Sequence, residues 1–354
     1  MTYEGQDEQP QVLLAIDGNS LVHRSYHSQA ATGLRSAAGE PLWAIRGLLT
    51  QLVAAVERIG PVAVVVGFDD PDRSARRDRW PSYKAGRTEK LETLICQLVA
   101  AAEVLRTLGL AVIVPDGLEA DDVLASAAAF GRANKVETVI MTSDRDAFAL
   151  IDDNTTVLRI INGGVEASPM LTPQRLRILQ GIDPNQYRDF AALRGDPSDN
   201  LPGIRGFGPK TAARLLAELD TVQAAFDNLA AGGDRVVAAV GPALAARLAD
   251  PAAQETWRLN CQVMTMHDDL ELGLDLVAGP GVLPLPAEAV RSVYAAHRLT
   301  WTAPAALRVL AHHEGPPPAA PPERHWSPEH DRPRPQRFGR LERPKPKAAQ
   351  LSLF

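Results

Sequence analysis

The sequence predicts an α/β fold built on a parallel sheet, followed by a helical part. Three observations carry this. Continuous apolar, β-rich runs stand at 12–16, 62–68 and 138–142, followed in turn by Asp17, Asp69 and Asp144. Runs of this length suit strands buried on both faces, as in a parallel sheet. Helical patterns lie between the runs, and after about residue 170 the pattern turns helical throughout. Strand alternating with helix is the signature of an α/β layer.

Taken in order, Val12–Ile16 reads as the first strand. Leu42, Ile45, Leu49, Leu52, Val53 and Val56 then keep a 3.6-residue period. After the second strand run come Leu91, Leu94, Ile95, Leu98, Leu105 and Leu108, with Gly109 placed as the C-cap. The run Val123–Phe130 reads as a helix whose first turn holds Glu119-Ala120-Asp121-Asp122. The α/β part is assigned to residues 11–175 and a helical domain to 176–312. At the approach to the latter and within it, Thr172–Pro173 and Asp183–Pro184 are N-cap residues followed by proline at the first helical position. Gly181 and Gly195 are placed as C-caps, and a helix is expected over Pro209–Leu219. Alanine-rich helices fill 221–312, with a loop near 279–286. Residues 1–10 are polar and acidic, and 313–354 are proline-rich, so both are expected to be disordered.

A chain of 354 residues and 38.1 kDa is long enough for about two domains. Cys96 and Cys261 stand far apart, which excludes a disulfide framework and a thiolate metal site. No apolar run approaches the ~20 residues of a membrane span, and the start does not read as a signal peptide. The expected compartment is the cytoplasm. The net charge of −6 argues against a general nucleic-acid binder, but the average conceals a division. From Gly315 onward eight Lys/Arg face four Asp/Glu, a +4 tail on a body of −10.

The body's negative charge falls in clusters. In an open α/β sheet ligands bind beyond the carboxyl ends of the strands. Asp17, Asp69 and Asp144 would share that edge, with Asp146 two residues on. Glu119, Asp121 and Asp122 open a helix, where acids also complement the helix dipole; Asp196 and Asp199 flank a later loop. Singly, each is ordinarily a cap or turn residue. Nine carboxylates on one edge would repel one another unless cations neutralised them. Hard oxygen ligands without His or Cys spacing favour Mg²⁺ or Mn²⁺, and two such ions can serve phosphate chemistry. No nucleophilic Ser or Cys motif and no nucleotide-binding P-loop competes. His23 and His27, at i, i+4 spacing without an acidic partner between them, read as packing or surface residues.

The basic parts point the same way. Residues 73–87, which include Arg77, are the densest basic stretch of the folded region. Lys84 and Arg87, three apart, would share a helix face and reach one phosphate, and Tyr83 offers a ring for stacking on an unpaired base. The loop Gly203-x-x-Gly206-x-Gly208 joins two expected helices, with Pro209 opening the second. Glycines permit close backbone approach, and amides at a helix N-terminus bind phosphate without reading sequence. Lys210 and Arg214 add charge, so the loop looks like a helix-hairpin-helix grip on DNA.

In order along the chain stand Ile16-Asp17-Gly18-Asn19-Ser20, Phe68-Asp69, Tyr83-Lys84-x-x-Arg87, Glu119-Ala120-Asp121-Asp122-Val123, Ser143-Asp144-Arg145-Asp146, and Gly195-Asp196-Pro197-Ser198-Asp199-Asn200-Leu201-Pro202-Gly203. With Gly208-Pro209-Lys210-Thr211-Ala212 they make the chain resemble the bacterial 5′→3′ nucleases of the flap endonuclease superfamily, especially the N-terminal nuclease domain of bacterial DNA polymerase I, over roughly residues 11–270. The resemblance implies a PIN-like 5′ nuclease core and a helix–three-turn–helix domain. It assigns Asp17, Asp69, Glu119, Asp121 and Asp122 to a first metal cluster and Asp144, Asp146, Asp196 and Asp199 to a second. It makes Lys84 and Arg87 the catalytic cations of a helical arch. DNA contacts fall to Tyr83, Arg77, Gly203, Gly206, Gly208, Lys210 and Thr211, and a K⁺ is implied on carbonyls of the hairpin loop. The implied substrates are 5′ flaps, nicks and gaps, including RNA–DNA hybrids; a monomer, associated with the nucleoid through DNA, is the simplest reading. No polymerase or proofreading domain is seen, so a free-standing nuclease is expected. The terminal Gln350-Leu351-Ser352-Leu353-Phe354 looks like the peptide by which bacterial replication and repair proteins dock on the sliding clamp. A PIN-like ribonuclease and a catalytically silent DNA-binding adaptor are the competing readings.

Overall fold

A computed structural model describes residues 11–36, 38–87 and 89–313. The expectations for residues 1–10, for the tail from 314 onward and for Gln350, Leu351, Ser352, Leu353 and Phe354 fall outside the described residues.

Six strands form the main sheet: β1 (Val12–Asp17), β2 (Ala63–Gly67), β3 (Ala111–Ile113), β4 (Glu137–Thr142), β5 (Thr155–Arg159) and β6 (Met170–Leu171). Their order is β3-β2-β1-β4-β5-β6, parallel except for β6. The continuous apolar runs are explained by burial on both faces. Leu13 and Ala15 pack on helix Ala120–Asn134, whereas Leu14 and Ile16 face helices Gly18–Gln29, Trp43–Ile59 and Glu92–Leu108. Gly109 ends the last of these in the left-handed conformation, φ 100°, as its spacing predicts. Because the chain winds outward in both directions from β1 and β4, the topological switch point lies between their carboxyl ends. Asp17 closes β1 there, and Asp144 follows β4.

The helical part is built around helices Tyr187–Arg194 and Pro209–Leu219. Between them a short antiparallel hairpin pairs β7 (Gly195–Asp196) with β8 (Leu201–Pro202). Two glycines make this closeness possible. A Cβ on Gly203 would lie 1.9 Å from the Arg194 carbonyl oxygen, and Gly195, at φ +69°, would clash with the Gly203 amide.

The chain then returns to the sheet, which departs from the expected helical domain of 176–312. Segment 281–283 runs beside β2: Val64 N donates to the Gly281 carbonyl and Leu283 N to the Val62 carbonyl, both at 2.9 Å. Helices Ala287–Ala296 and Ala303–Ala311 then cover Trp43–Ile59 and Glu92–Leu108. Val290, Tyr294 and Leu310 are fully buried there, and the Tyr294 hydroxyl donates to the Leu49 carbonyl at 3.0 Å. The apolar stripes of these helices therefore complete the α/β layer.

Candidate active site

The carboxylates assemble from the strand ends outward. Asp17 is buried; it accepts from Ser20 N at 2.9 Å and from Thr142 Oγ1 at 2.7 Å. Thr142 Oγ1 in turn accepts from Asp144 N at 3.0 Å, so one hydroxyl couples the ends of β1 and β4. Asp69 is fixed by Asn19 and by Ala120 N, which donates to Oδ1 at 3.0 Å. That bond ties the end of β2 to the N-terminus of helix Ala120–Asn134, which aims Asp121 inward. A cavity of about 590 Å³ is lined by Asp17, Asp69, Asp121, Asp144, Asp146 and Asp199. Carboxylate oxygens of Asp146, Asp196 and Asp199 lie within 4.8 Å of one another. At that separation two full charges repel by roughly 3 kcal/mol even at an effective dielectric of about 20.

The electrostatics register this crowding. Burial, then the charges of Asp69 and Asp144, raise the Asp17 carboxyl to about 7 despite two hydrogen bonds that oppose the shift. Burial and the neighbouring Asp144, Asp196 and Asp199 raise Asp146 to about 7 as well. Asp121 is raised well above the usual carboxylate range by burial and by Asp17, Asp144 and Asp146. An all-oxygen donor set held in this state fits hard divalent cations, which would relieve the repulsion.

Two of the nine carboxylates are engaged elsewhere. Asp122 is fully buried, with both oxygens committed to Arg76, at 2.8 and 2.7 Å, and with His267 N donating at 2.8 Å. It also closes a capping box with Glu119. Its place one residue after Asp121 rotates it about 100° around the helix, away from the cavity. Glu119 lies between the two regions, accepting from Arg76, from the Tyr83 hydroxyl at 3.1 Å and from Lys84 Nζ at 2.7 Å. Removing Asp122 would strand the buried Arg76 guanidinium. Asp122→Ala should therefore cost about 3 kcal/mol or more in urea denaturation, whereas Asp121→Ala should cost nothing or stabilise the metal-free protein. Equal losses in both would reject this division of roles.

The basic segment is not a helix through Tyr83–Arg87. It forms successive turns after the short helix Ala75–Arg79, with Lys84 in the left-handed conformation at φ 57°. Lys84 and Arg87 nevertheless both line the cavity. Lys84 N donates to the Asp199 carbonyl at 2.9 Å, and the Arg87 guanidinium pairs with the Asp199 carboxylate. Burial opposes the Lys84 charge, but Glu119 outweighs it and holds the ammonium protonated. Tyr83 departs from expectation more clearly. Its side chain is buried against Leu201 and Val263 with its hydroxyl on Glu119, so its ring is not open to a base. Arg77 is exposed on the same segment.

At the hairpin, Ile204 and Phe207 are buried anchors, while Gly206, Gly208 and Lys210 are exposed and Thr211 is partly so. Helix Pro209–Leu219 begins there, with Gly208 as N-cap and Pro209 in its first turn. Backbone and charge are thus presented together at a helix N-terminus.

Other residues were not read as functional from the sequence. His23 and His27 line the acidic cavity, with Arg24, Lys90, Asn19 and Asn162. Burial, then the charges of Lys90, His27 and Arg87, lower the His23 imidazole to about 4, so it is neutral at physiological pH. Only position could have found these residues: His23 and His27 follow Asp17 by about two and three turns of the helix that β1 feeds.

A carboxylate cavity at the switch point of an α/β sheet, with cations at its rim and a helix-hairpin-helix beside it, defines a metal-dependent nuclease. The chain belongs to the 5′–3′ exonuclease family. Residues 12–177 match the profile of the 5′-3′ exonuclease N-terminal resolvase-like domain, and 182–280 that of the 5′-3′ exonuclease C-terminal SAM fold. DNA polymerase I of Mycobacterium tuberculosis is 37% identical over 244 residues, 69% of this chain but 26% of the polymerase. The thermostable DNA polymerase I of Thermus aquaticus is 36% identical over 276 residues, 78% of this chain and 29% of that protein. The chain thus spans between a quarter and a third of the length of these relatives. Among solved structures, T5 5′-exonuclease with bound zinc superposes with a TM-score of 0.58 at 18% identity, covering 85% of this chain and all of that one. The catalytic core of Rad2 in complex with DNA substrate gives 0.52 at 16% identity, covering 85% and 92%. These structural likenesses establish the shared fold.

Proposed function

We propose that this chain is a Mg²⁺- or Mn²⁺-dependent, structure-selective 5′ nuclease. It hydrolyses a phosphodiester near the 5′ end of a DNA flap, nick or gap, including one that carries an RNA primer, in replication and repair. The carrying observation is the convergence of Asp17, Asp69, Asp121, Asp144, Asp146 and Asp199 with Lys84 and Arg87 on one cavity. T5 5′-exonuclease binds divalent metal ions, and the T5 flap endonuclease has been captured with DNA and metal ions, which supports the reading by analogy.

Asp17, Asp69, Asp121 and, at its edge, Glu119 would hold one divalent cation; Asp144, Asp146, Asp196 and Asp199 would hold a second. When bound, such ions supply Lewis acidity at the scissile phosphate and lower the pKa of the attacking water. The chain's own residues do the rest. Lys84 and Arg87, now held by Glu119 and Asp199, exchange those partners for phosphate oxygens and offset the charge that builds in the transition state. The amides and Lys210 at the start of helix Pro209–Leu219 hold the duplex backbone without reading sequence. The K⁺ implied at this loop fits only in part: the Pro202 and Arg205 carbonyls already accept from Asn260 and Arg247, at 2.9 and 2.7 Å, so no step is assigned to it.

The reading extends to a monomer acting in the cytoplasm at the nucleoid. Among the described residues no helix is long and apolar enough to cross a membrane. The terminal peptide Gln350–Phe354 would recruit the enzyme to the sliding clamp. Its deletion should abolish clamp binding in a pull-down and leave flap cleavage in dilute solution unchanged; undiminished clamp affinity in the truncated protein would refute the tail's role. The function itself is tested by offering a 5′-flap duplex, a single-stranded RNA and a blunt duplex, each with and without Mg²⁺. Flap cleavage only with Mg²⁺ is expected. Preference for the RNA would indicate a PIN-like ribonuclease, and binding without cleavage an adaptor.

A further inference from the structure

The functional edge of the sheet continues past the acidic cavity. In register with Thr142 of β4, β5 ends on Arg159. Adjacent strands lie about 5 Å apart, so Arg159 stands one strand from the threonine that couples Asp17 to Asp144. Its guanidinium lies over the Phe148 ring, 5.7 Å from the centroid, and its Nε is buried without a hydrogen-bond partner among the described residues.

Two further guanidiniums lie near enough to act on the charge of Arg159. Arg24 lines the acidic cavity with Asn162, to whose Oδ1 its Nη2 donates at 2.9 Å. Arg145 lines an adjoining recess of about 370 Å³, which shares Ser143, Asp144 and Asp146 with the main cavity. None of the three pairs with a carboxylate among the described residues. Burial and the nearby charges of Arg145 and Arg24, only partly offset by Tyr187 and Asp144, make the protonated form of Arg159 harder to hold than usual. Lys84 and Arg87 have their charges met by Glu119 and Asp199. These three form no such ion pair, and an anion with several acceptor oxygens would find donors from all three.

We propose that Arg24, Arg145 and Arg159 form a second anion site, which binds a backbone phosphodiester of the cut strand next to the scissile one. The inference rests on the nuclease reading above and adds to it a substrate contact. Guanidinium forks match phosphate oxygens in pairs. A phosphate held at the end of β5 would place its neighbour over the carboxylates of β1 and β4, and three positive charges would offset the repulsion that the strand meets from the acidic cavity.

The test uses 5′-flap duplexes in which each phosphate flanking the scissile one is replaced in turn by a neutral methylphosphonate. Single-turnover cleavage is measured for the full-length protein and for its Arg159→Gln and Arg145→Gln variants, with thermal melts alongside. Each variant should cut the all-phosphate flap about tenfold more slowly, the usual cost of losing a charged hydrogen bond. One methylphosphonate position should slow the parent protein by a similar factor and slow the variants no further. Penalties that multiply at every position, or variants that cut as fast as the parent, would overturn the proposal. Because Arg145 is exposed, its variant keeps the test open should Arg159→Gln fail to fold. Failure of the parent protein to cut the all-phosphate flap would count against the nuclease reading itself, whereas cutting without coupling counts only against the anion site.

Discussion

Asp146→Asn, and separately Asp144→Asn, should lower flap cleavage by more than about a hundredfold, since even residues that only support a metal ligand cost 10–100-fold. DNA binding should stay the same or tighten. Both aspartates border the cavity, and oxygens of Asp146 lie within 4.8 Å of those of Asp196 and Asp199. On the proposed reading, each substitution removes a charge that repels the phosphate and one of the carboxylates that would hold the second cation. The rate should thus fall with no loss of affinity, which a general loss of structure cannot produce. In the metal-free protein the Asp146→Asn change should also raise Tm, because folding buries this carboxyl and sets it among like charges, which together push it up to about 7. Cleavage assays at physiological Mg²⁺, equilibrium binding without metal and a thermal melt suffice. Full activity in both variants would reject the assignment of the second cluster.

Lys84→Ala should lower the single-turnover rate by roughly 10²–10³-fold, the range seen when one transition-state donor is lost, while weakening DNA binding much less. The reason is geometric. Lys84 is held between Glu119, 2.7 Å from its ammonium, and the Asp199 carbonyl, 2.9 Å from its amide. It already sits at the cavity wall, so on the proposed reading its charge is preorganised for the reacting phosphate. An affinity loss with an unchanged rate would make Lys84 a general phosphate contact. Arg87→Ala in the same assay, alone and combined with Lys84→Ala, would show whether the two act as a unit.

Much of this site is legible in the sequence because strands buried on both faces are written as uninterrupted apolar runs. Val12–Ile16 and Thr138–Thr142 could be read directly, and with them the positions of Asp17 and Asp144. Capping chemistry did the same for helix Pro209–Leu219, whose bounds match. The strands that the apolar pattern does not mark lack such a run. β3 has three residues, β6 has two, and β5 (Thr155–Arg159) carries threonines and an arginine. Arg159, at the end of β5, is illegible for the same reason. The roles of Asp122 and Tyr83 were hidden for another reason. Both are decided by Arg76 and Glu119, partners 36 to 46 positions away, and no local pattern distinguishes a carboxylate that meets a cavity from one that meets a buried guanidinium. The left-handed turn at Lys84 likewise depends on its amide reaching the Asp199 carbonyl.

The return of helices Ala287–Ala296 and Ala303–Ala311 to the sheet sets the order in which the protein can be completed. The bond from Tyr294 to Leu49 joins positions 245 apart. Closing so long a loop costs only about 0.6 kcal/mol more for each doubling of its length, so the burden falls on timing. During synthesis at about 5–20 residues per second, the apolar face of helix Trp43–Ile59 has to wait for some 250 further residues, on the order of ten seconds or more, before its cover emerges. Until then the nascent catalytic layer presents a sticky surface to its surroundings. A recombinant fragment that stops near residue 280, where the family's second profile ends, would keep that surface for good.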